Sequence, residues 1–75
     1  MESVLDLKAS AKLLTELRGN KSQKEVADAL GISVSALSMY ENGDRIPRDN
    51  IKIRIANYYN KSISDIFFII KEHDT

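Results

Sequence analysis

Apolar and small side chains recur along the first part of the chain at the spacing of an amphipathic helix. Between residues 3 and 18 these positions are Val4, Leu5, Leu7, Ala9, Ala11, Leu13, Leu14 and Leu17. A capping pattern from Ser3 to Asp6 precedes them, and Gly19 with Asn20 follows them as a helix end. The pattern therefore predicts a first helix over residues 3–18.

Two shorter helical stripes follow, and each lies between a serine and a glycine. Ser22 is placed to cap a second helix over residues 23–30, and Gly31 follows where a left-handed residue closes a helix. Ser33 is placed to cap a third helix, which the pattern ends near residue 40 or 41, before an Asn-Gly pair. Three short helices are therefore expected before residue 43.

The stretch over residues 51–55 alternates strictly between isoleucine and a basic residue, which is typical of a half-buried strand. A helix is preferred here, because Ile51 and Ile55 begin an apolar helical face that continues past the length of a typical strand. This fourth helix is expected over residues 50–59, with Asp49 as its cap.

The C-terminal part predicts one more helix. Ser62 or Ser64 is placed to cap a short helix that runs to Phe68, and the polar residues 71–75 are expected to fray. The pattern as a whole predicts an all-α domain of five helices that occupies residues 1–75, with its core over about residues 5–70.

Composition limits the classes of function. The 75 residues suit one small domain, and without cysteine there is no disulfide, thiolate nucleophile or cysteine zinc site, which favours a cytoplasmic location. The longest apolar run is too short to cross a membrane, and no signal segment is visible. Eleven basic residues balance eleven acidic ones, so an anionic partner has to be met by a local patch.

The second and third helical stripes share one packing pattern. Apolar side chains that seal the helix pair against the first helix fall at Val26, Leu30, Ile32, Leu37 and Tyr40. Two short helices that cross steeply need a small side chain where they touch, which Ala27 provides. The corner between them needs a residue tolerant of positive φ, which Gly31 provides.

The segment SQKEVADALGISVSALSMYENGDRIP resembles the helix-turn-helix of the phage repressor, Cro and XRE family. The continuation IKIRIANYYNKSISDIF is similar to the fourth and fifth helices of that five-helix, repressor-like domain. The resemblance covers about residues 5–70 and departs from many relatives in that Arg18 lies closer to Gln23. It implies a transcriptional regulator that binds double-stranded DNA as a homodimer, most simply a repressor.

The resemblance makes the third helix the recognition helix in the major groove. The residues on its exposed face, expected to read bases, are Val34, Ser35, Ser38 and Met39. Relatives often carry Arg or Gln there, whereas this face offers hydroxyls and two apolar groups that suit thymine methyls.

The resemblance also implies two groups of phosphate-binding residues. The first lies at the start of the second helix, where free N–H groups favour an anion, and the second lies after the third helix. The residues are Lys21, Ser22, Gln23 and Lys24 in the first group, and Asn42, Arg45 and Arg48 in the second.

Other polar residues have structural explanations. Arg18 and Glu41 are expected to form the internal ion pair that the family often contains. Lys52 and Arg54 suit a solvated helix face, and His73 has neither a cysteine nor a second histidine with which to bind a metal. No catalytic residue, metal site or cofactor is expected, because the serines of the third helix have no nearby base.

The run from Ile66 to Ile70 predicts the oligomeric state. Five consecutive apolar residues on a helix point in nearly every direction, so one domain cannot cover them all. The expected dimer interface consists of Phe67, Phe68, Ile69 and Ile70. The alternative function is an antitoxin-like module whose apolar end binds another protein, with DNA binding secondary.

Overall fold

A computed structural model describes the backbone of residues 3–5, 7–67 and 69–71, and the side chains of residues 7–67. Its five helices are α1 (Leu7–Arg18), α2 (Gln23–Leu30), α3 (Val34–Asn42), α4 (Asp49–Tyr59) and α5 (Ile63–Ile66). Two short strands, β1 (Ser3–Leu5) and β2 (Ile69–Lys71), flank them. The predicted five-helix fold is thus confirmed, with a strand pair added at its ends.

Serine hydroxyls begin three of the helices, as their sequence positions predicted. Ser22 accepts a hydrogen bond from the backbone N–H of Glu25, and Ser33 accepts one from Ala36, both at 3.0 Å. Ser62 forms a reciprocal capping box at the start of α5. Each cap satisfies an N–H group that the helix itself cannot pair, which fixes where the helix begins.

The alternating stretch before residue 56 is helical, so the rejection of a strand is confirmed. Ile55 is completely buried and Ile51 is half-buried on the same face, whereas Ile53 is 49% exposed. A strand would place all three isoleucines on one face. The predicted cap was wrong by one residue: Arg48 occupies the N-cap position, without a side-chain hydrogen bond, and Asp49 is already helical.

One large side chain from each helix meets in the core. These residues, Leu14, Val26, Leu37, Ile55 and Ile66, are at most 2% exposed. Burial of each such side chain contributes about 1.5–3 kcal/mol to the free energy of unfolding. The core therefore depends on all five helices, and it fixes the position of α3 against α1 and α2.

The first helix begins later than predicted, because residues 3–5 form a strand. β1 pairs antiparallel with β2 in the register Ser3 with Lys71, Val4 with Ile70 and Leu5 with Ile69. The Ser3 to Asp6 pattern is therefore not a helix cap. Lys71 belongs to this strand pair and not to a frayed tail, while residues 72–75 lie outside the described part of the chain.

The last helix ends earlier than predicted, at Ile66. Phe67 follows it with only 6% exposure and packs in the core, which removes this side chain from the expected dimer interface. Ile69 and Ile70 belong to a strand, so the argument that a helix points the whole run in every direction was wrong. Phe68 lies outside the described residues.

A buried hydrogen bond holds the start of the fold to its end. The hydroxyl of Ser10 in α1 donates to the backbone carbonyl of Ile66 at 2.7 Å, across 56 residues of sequence. Ser10 is only 3% exposed. Since a buried polar group needs a partner, this bond explains why a serine is tolerated on the inner face of α1. None of the described helices has the length and hydropathy needed to cross a bilayer.

Candidate nucleic-acid interface

Three residues connect α2 to α3 and fix the angle between them. Gly31 has a φ of 72°, and its N–H donates to the carbonyl of Asp28 at 3.2 Å. The next N–H, that of Ile32, donates to Ala27 at 3.0 Å. These bonds close α2 in the way a left-handed glycine permits. Ala27 is completely buried, so the small side chain lies inside the fold as predicted.

The outer face of α3 carries the four residues expected to read bases. Val34 is 41% exposed and Ser35 is exposed, while Ser38 and Met39 are half-buried. Helical spacing of three and four residues makes them neighbours, and Leu37 faces the core at 2% exposure. The structure therefore brings the predicted residues together on one side of the helix.

Glu41, in the last turn of α3, connects three helices through its carboxylate. Arg18 Nε donates to Glu41 Oε2 at 2.8 Å, and Gln23 Nε2 donates to Glu41 Oε1 at 3.0 Å. The carboxylate side chain is 3% exposed and the arginine side chain 19%. The hydrogen bond from Arg18 to Glu41 raises the pKa of Arg18 above the ordinary value of an arginine. The structure therefore contains the ion pair expected from the resemblance.

This network also decides where Gln23 lies. Gln23 is the first residue of α2, and Glu41 holds its amide beside the last turn of α3. The amide nitrogen has a second hydrogen, which the bond to Glu41 does not use. The start of α2 and the end of α3 are thus adjacent, and they are the two places where phosphate-binding residues were expected.

The lysines at the start of α2 have protein partners. Lys21 Nζ lies 3.2 Å from the hydroxyl of Tyr58 and 5.0 Å from the centre of that ring. Lys24 forms an exposed ion pair of 2.9 Å with Asp28, one turn further along the helix. An exposed pair of this kind contributes little and exchanges readily with another anion. Ser22 is exposed, and its oxygen caps α2.

In the segment between α3 and α4, two consecutive anchored residues lie between two exposed arginines. Pro47 is buried and Ile46 packs against the core, whereas Arg45 and Arg48 are exposed. Asn42 is also exposed, and its amide donates to the hydroxyl of Ser38 at 3.4 Å. The two anchored residues hold the segment against the core between the two exposed arginines.

A protein-family model described as helix-turn-helix matches residues 14–66, which is more than half of the chain. The chain belongs to the helix-turn-helix family of the Cro and XRE type. A helix-turn-helix protein of this type is a DNA-binding transcriptional regulator, and the family is not typically enzymatic. No curated protein and no solved structure matches the chain.

Arg54 is a structural residue of this helix-turn-helix protein that the sequence did not reveal. Its Nη1 donates to the carbonyl of Leu30 at 3.2 Å, at the end of α2. A cation stabilises the free carbonyls of a helix C-terminus. The prediction that Arg54 lies on a solvated helix face was therefore incomplete. Because α4 packs against α2, Arg54 reaches a carbonyl group that is distant in sequence.

Tyr59 lies close to the same charged network. Among the described residues, its hydroxyl is the one buried side-chain polar atom without a hydrogen-bond partner. Burial, and next the negative charge of Glu41, raises the pKa of Tyr59 to about 12. The ring of Tyr58 packs against it edge to face at 4.9 Å. No sequence signal distinguished Tyr59 from an ordinary core aromatic.

The part of the helix-turn-helix protein that the structure describes has no pocket and no cluster of three metal-binding side chains. His73 lies outside the described residues.

Proposed function

We propose that this protein is a repressor that binds double-stranded DNA in a sequence-specific manner as a homodimer. One observation carries the proposal: the bond between Gln23 and Glu41 holds the start of α2 against the end of α3. The first group of phosphate-binding candidates therefore begins beside the last turn of α3, and the second group follows that turn along the chain. A recognition helix needs this arrangement, because phosphate contacts set its register while its outer face meets the bases.

Each candidate residue then has a role in the proposal. The outer face of α3 reads base edges through Val34, Ser35, Ser38 and Met39. The phosphate contacts come from Lys21, Ser22, Gln23, Lys24, Asn42, Arg45 and Arg48. Backbone N–H groups at the start of α2 add to the first of these contacts.

Repression requires nothing beyond this contact. A protein that occupies a promoter blocks it by exclusion, so binding alone accounts for the activity. We propose no catalytic step and no cofactor.

The strand pair supports the dimer in a different way from the helix expected at first. β1 and β2 form a two-stranded sheet in which each described strand has the other as its neighbour. Each strand thus leaves one edge of backbone groups for another chain, and sheet edges are places where proteins associate. We therefore keep residues 68–70 in the proposed interface and leave Phe67 to the core.

The test is a selection of bound duplexes from a random pool, followed by a reporter gene placed behind the selected site. Recovery of a two-fold symmetric sequence with half-sites one turn apart, together with reduced reporter expression, is the expected result. A protein that binds all duplexes equally, or that binds none and instead captures a protein partner, contradicts the proposal and favours the antitoxin-like alternative.

Sedimentation across micromolar concentrations tests the dimer separately. The double substitution Phe68→Asp, Ile70→Asp is expected to give a folded monomer, while Ile53→Asp, at an exposed position of α4, leaves association unchanged. A wild-type protein that stays monomeric both free and on DNA removes the homodimer from the proposal.

A further inference from the structure

The composition of α3 restricts which base pairs the helix can recognise. Its nine residues, VSALSMYEN, include no Arg, Lys or Gln. Its one acidic residue, Glu41, is 7% exposed and already bonded to Arg18 and Gln23. The side chains that usually make paired hydrogen bonds to guanine are therefore missing from this helix. Asn42, the last residue of α3, is of a type that pairs with adenine, but its amide is bonded to Ser38. Recognition by the rest of the helix must use other properties of the bases.

Apolar groups occupy the positions where a recognition helix approaches the bases. Val34 is the first residue of α3 and is 41% exposed, and the N-terminal residues of such a helix are the ones that contact base edges. Met39 lies one turn beyond Ser35 on the same side and is half-buried, so its flexible side chain is accessible from that side. The outer face of α3 therefore has an apolar group at each end.

Hydroxyl groups lie between these apolar residues. The oxygen of Ser38 accepts a hydrogen bond from the amide of Asn42, so its own hydrogen remains to be donated. Ser35 is exposed and carries a second hydroxyl. In the major groove, thymine presents an acceptor oxygen and a C5 methyl group. Adenine, guanine and cytosine have no such methyl group. A face of hydroxyls and apolar groups matches thymine.

We infer that Val34 and Met39 read the C5 methyl groups of thymine, so that the preferred half-site is defined by methyl contacts. This inference rests on the proposed function, since it requires α3 to enter the major groove. It names what α3 recognises there: thymine-containing base pairs, through the methyl group and not through paired hydrogen bonds.

The experiment uses a duplex recovered by the selection and replaces one thymine at a time with uracil. Uracil keeps every pairing atom and removes only the methyl. Dissociation constants are expected to rise about fourfold for each methyl in contact, which corresponds to the burial of one methyl-sized group. A second duplex carries a 5-methylcytosine–guanine pair at the same position. The protein is expected to bind this duplex more tightly than one with unmethylated cytosine there.

Variants assign the effect to residues. Val34→Ala and Met39→Ala are each expected to abolish the difference between thymine and uracil at one position, while unfolding in urea shows that the variants are folded. Ile53→Ala is the matched control, because it removes the same kind of exposed apolar group from α4. That control is expected to keep the full difference at every position.

The outcomes separate this inference from the proposed function. If the protein selects a site and uracil is tolerated everywhere in it, the methyl reading is overturned and sequence-specific binding stands. If Val34→Ala and Met39→Ala weaken binding to thymine and uracil duplexes alike, these residues are not the readers. If no site is selected at all, the proposed function fails, and the inference fails with it.

Discussion

Gln23 and Glu41 are joined by a hydrogen bond of 3.0 Å, from Nε2 of the amide to Oε1 of the carboxylate. The other carboxylate oxygen binds Arg18. A residue expected only to contact DNA and two residues expected only to stabilise the fold therefore form one network. In the proposed function, Glu41 therefore couples the stability of the fold to DNA affinity, and substitutions have to be designed to separate the two.

Removal of Arg18 alone is expected to destabilise the protein. In Arg18→Met the carboxylate of Glu41 stays buried and keeps only the neutral amide as a partner, which should lower the free energy of unfolding by about 3 kcal/mol. The double substitution Arg18→Met, Glu41→Leu removes both charges and should cost less than Arg18→Met. Urea unfolding measures both. A double variant that loses as much stability as Arg18→Met, or more, contradicts this prediction.

The exposed Arg48 tests the phosphate contacts. We expect Arg48→Ala to weaken binding to all duplexes alike and to reduce the slope of log affinity against log salt by about one, or about two for a dimer. Titrations at several salt concentrations measure this slope. Lys61→Ala removes the same charge from an exposed position just after α4 and should leave the slope unchanged. Equal slopes for both variants would exclude Arg48 from the contact.

Tyr59 makes stability depend on pH in the alkaline range. Its pKa is about 12 in the folded protein and 10.0 for the free group, so folding favours the neutral phenol. This contribution is fully present below pH 10 and is lost as the pH rises through the folded pKa. Unfolding of the wild type and of Tyr59→Phe is compared at about pH 9 and about pH 11. Relative to the variant, the wild type should lose stability at the higher pH. If both proteins lose the same amount of stability between these two pH values, the raised pKa of Tyr59 is contradicted.

Ser10 provides a test of how the end of α5 is held. Ser10→Ala leaves the carbonyl of Ile66 without this partner in a buried position and is expected to cost about 1–2 kcal/mol. Ser64→Ala, at an exposed position of α5, should change the free energy of unfolding much less. Thermal or urea unfolding of the two variants decides the matter. Equal losses would show that the buried bond contributes nothing specific.

Local signals predicted most of the helices. Ser22, Ser33 and Ser62 mark helix starts because a serine oxygen pairs with an N–H only three residues away, a relation visible in the sequence itself. Gly31 and Gly43 mark helix ends because each has positive φ. These features need no knowledge of the rest of the fold.

Long-range relations were not predictable in the same way. A three-residue strand such as β1 has no periodicity of its own, and its partner lies at the other end of the chain. The bond from Gln23 to Glu41 and that from Arg54 to Leu30 span 18 and 24 residues and exist only once the helices have packed. The exposed face of α3 was predictable, because it follows from helical spacing alone.

Pairing of β1 with β2 imposes an order on folding. Most helix contacts, such as those of α1 with α3 and of α2 with α4, join residues closer in sequence than the two strands are. The strands close a loop that contains all five helices, at a higher cost in chain entropy. We expect the strand pair to form last, after helix packing has shortened the distance between its ends. During synthesis at about 5–20 residues per second, β1 leaves the ribosome several seconds before β2 exists. In a nascent chain, β1 therefore lacks its pairing partner until β2 has been synthesised.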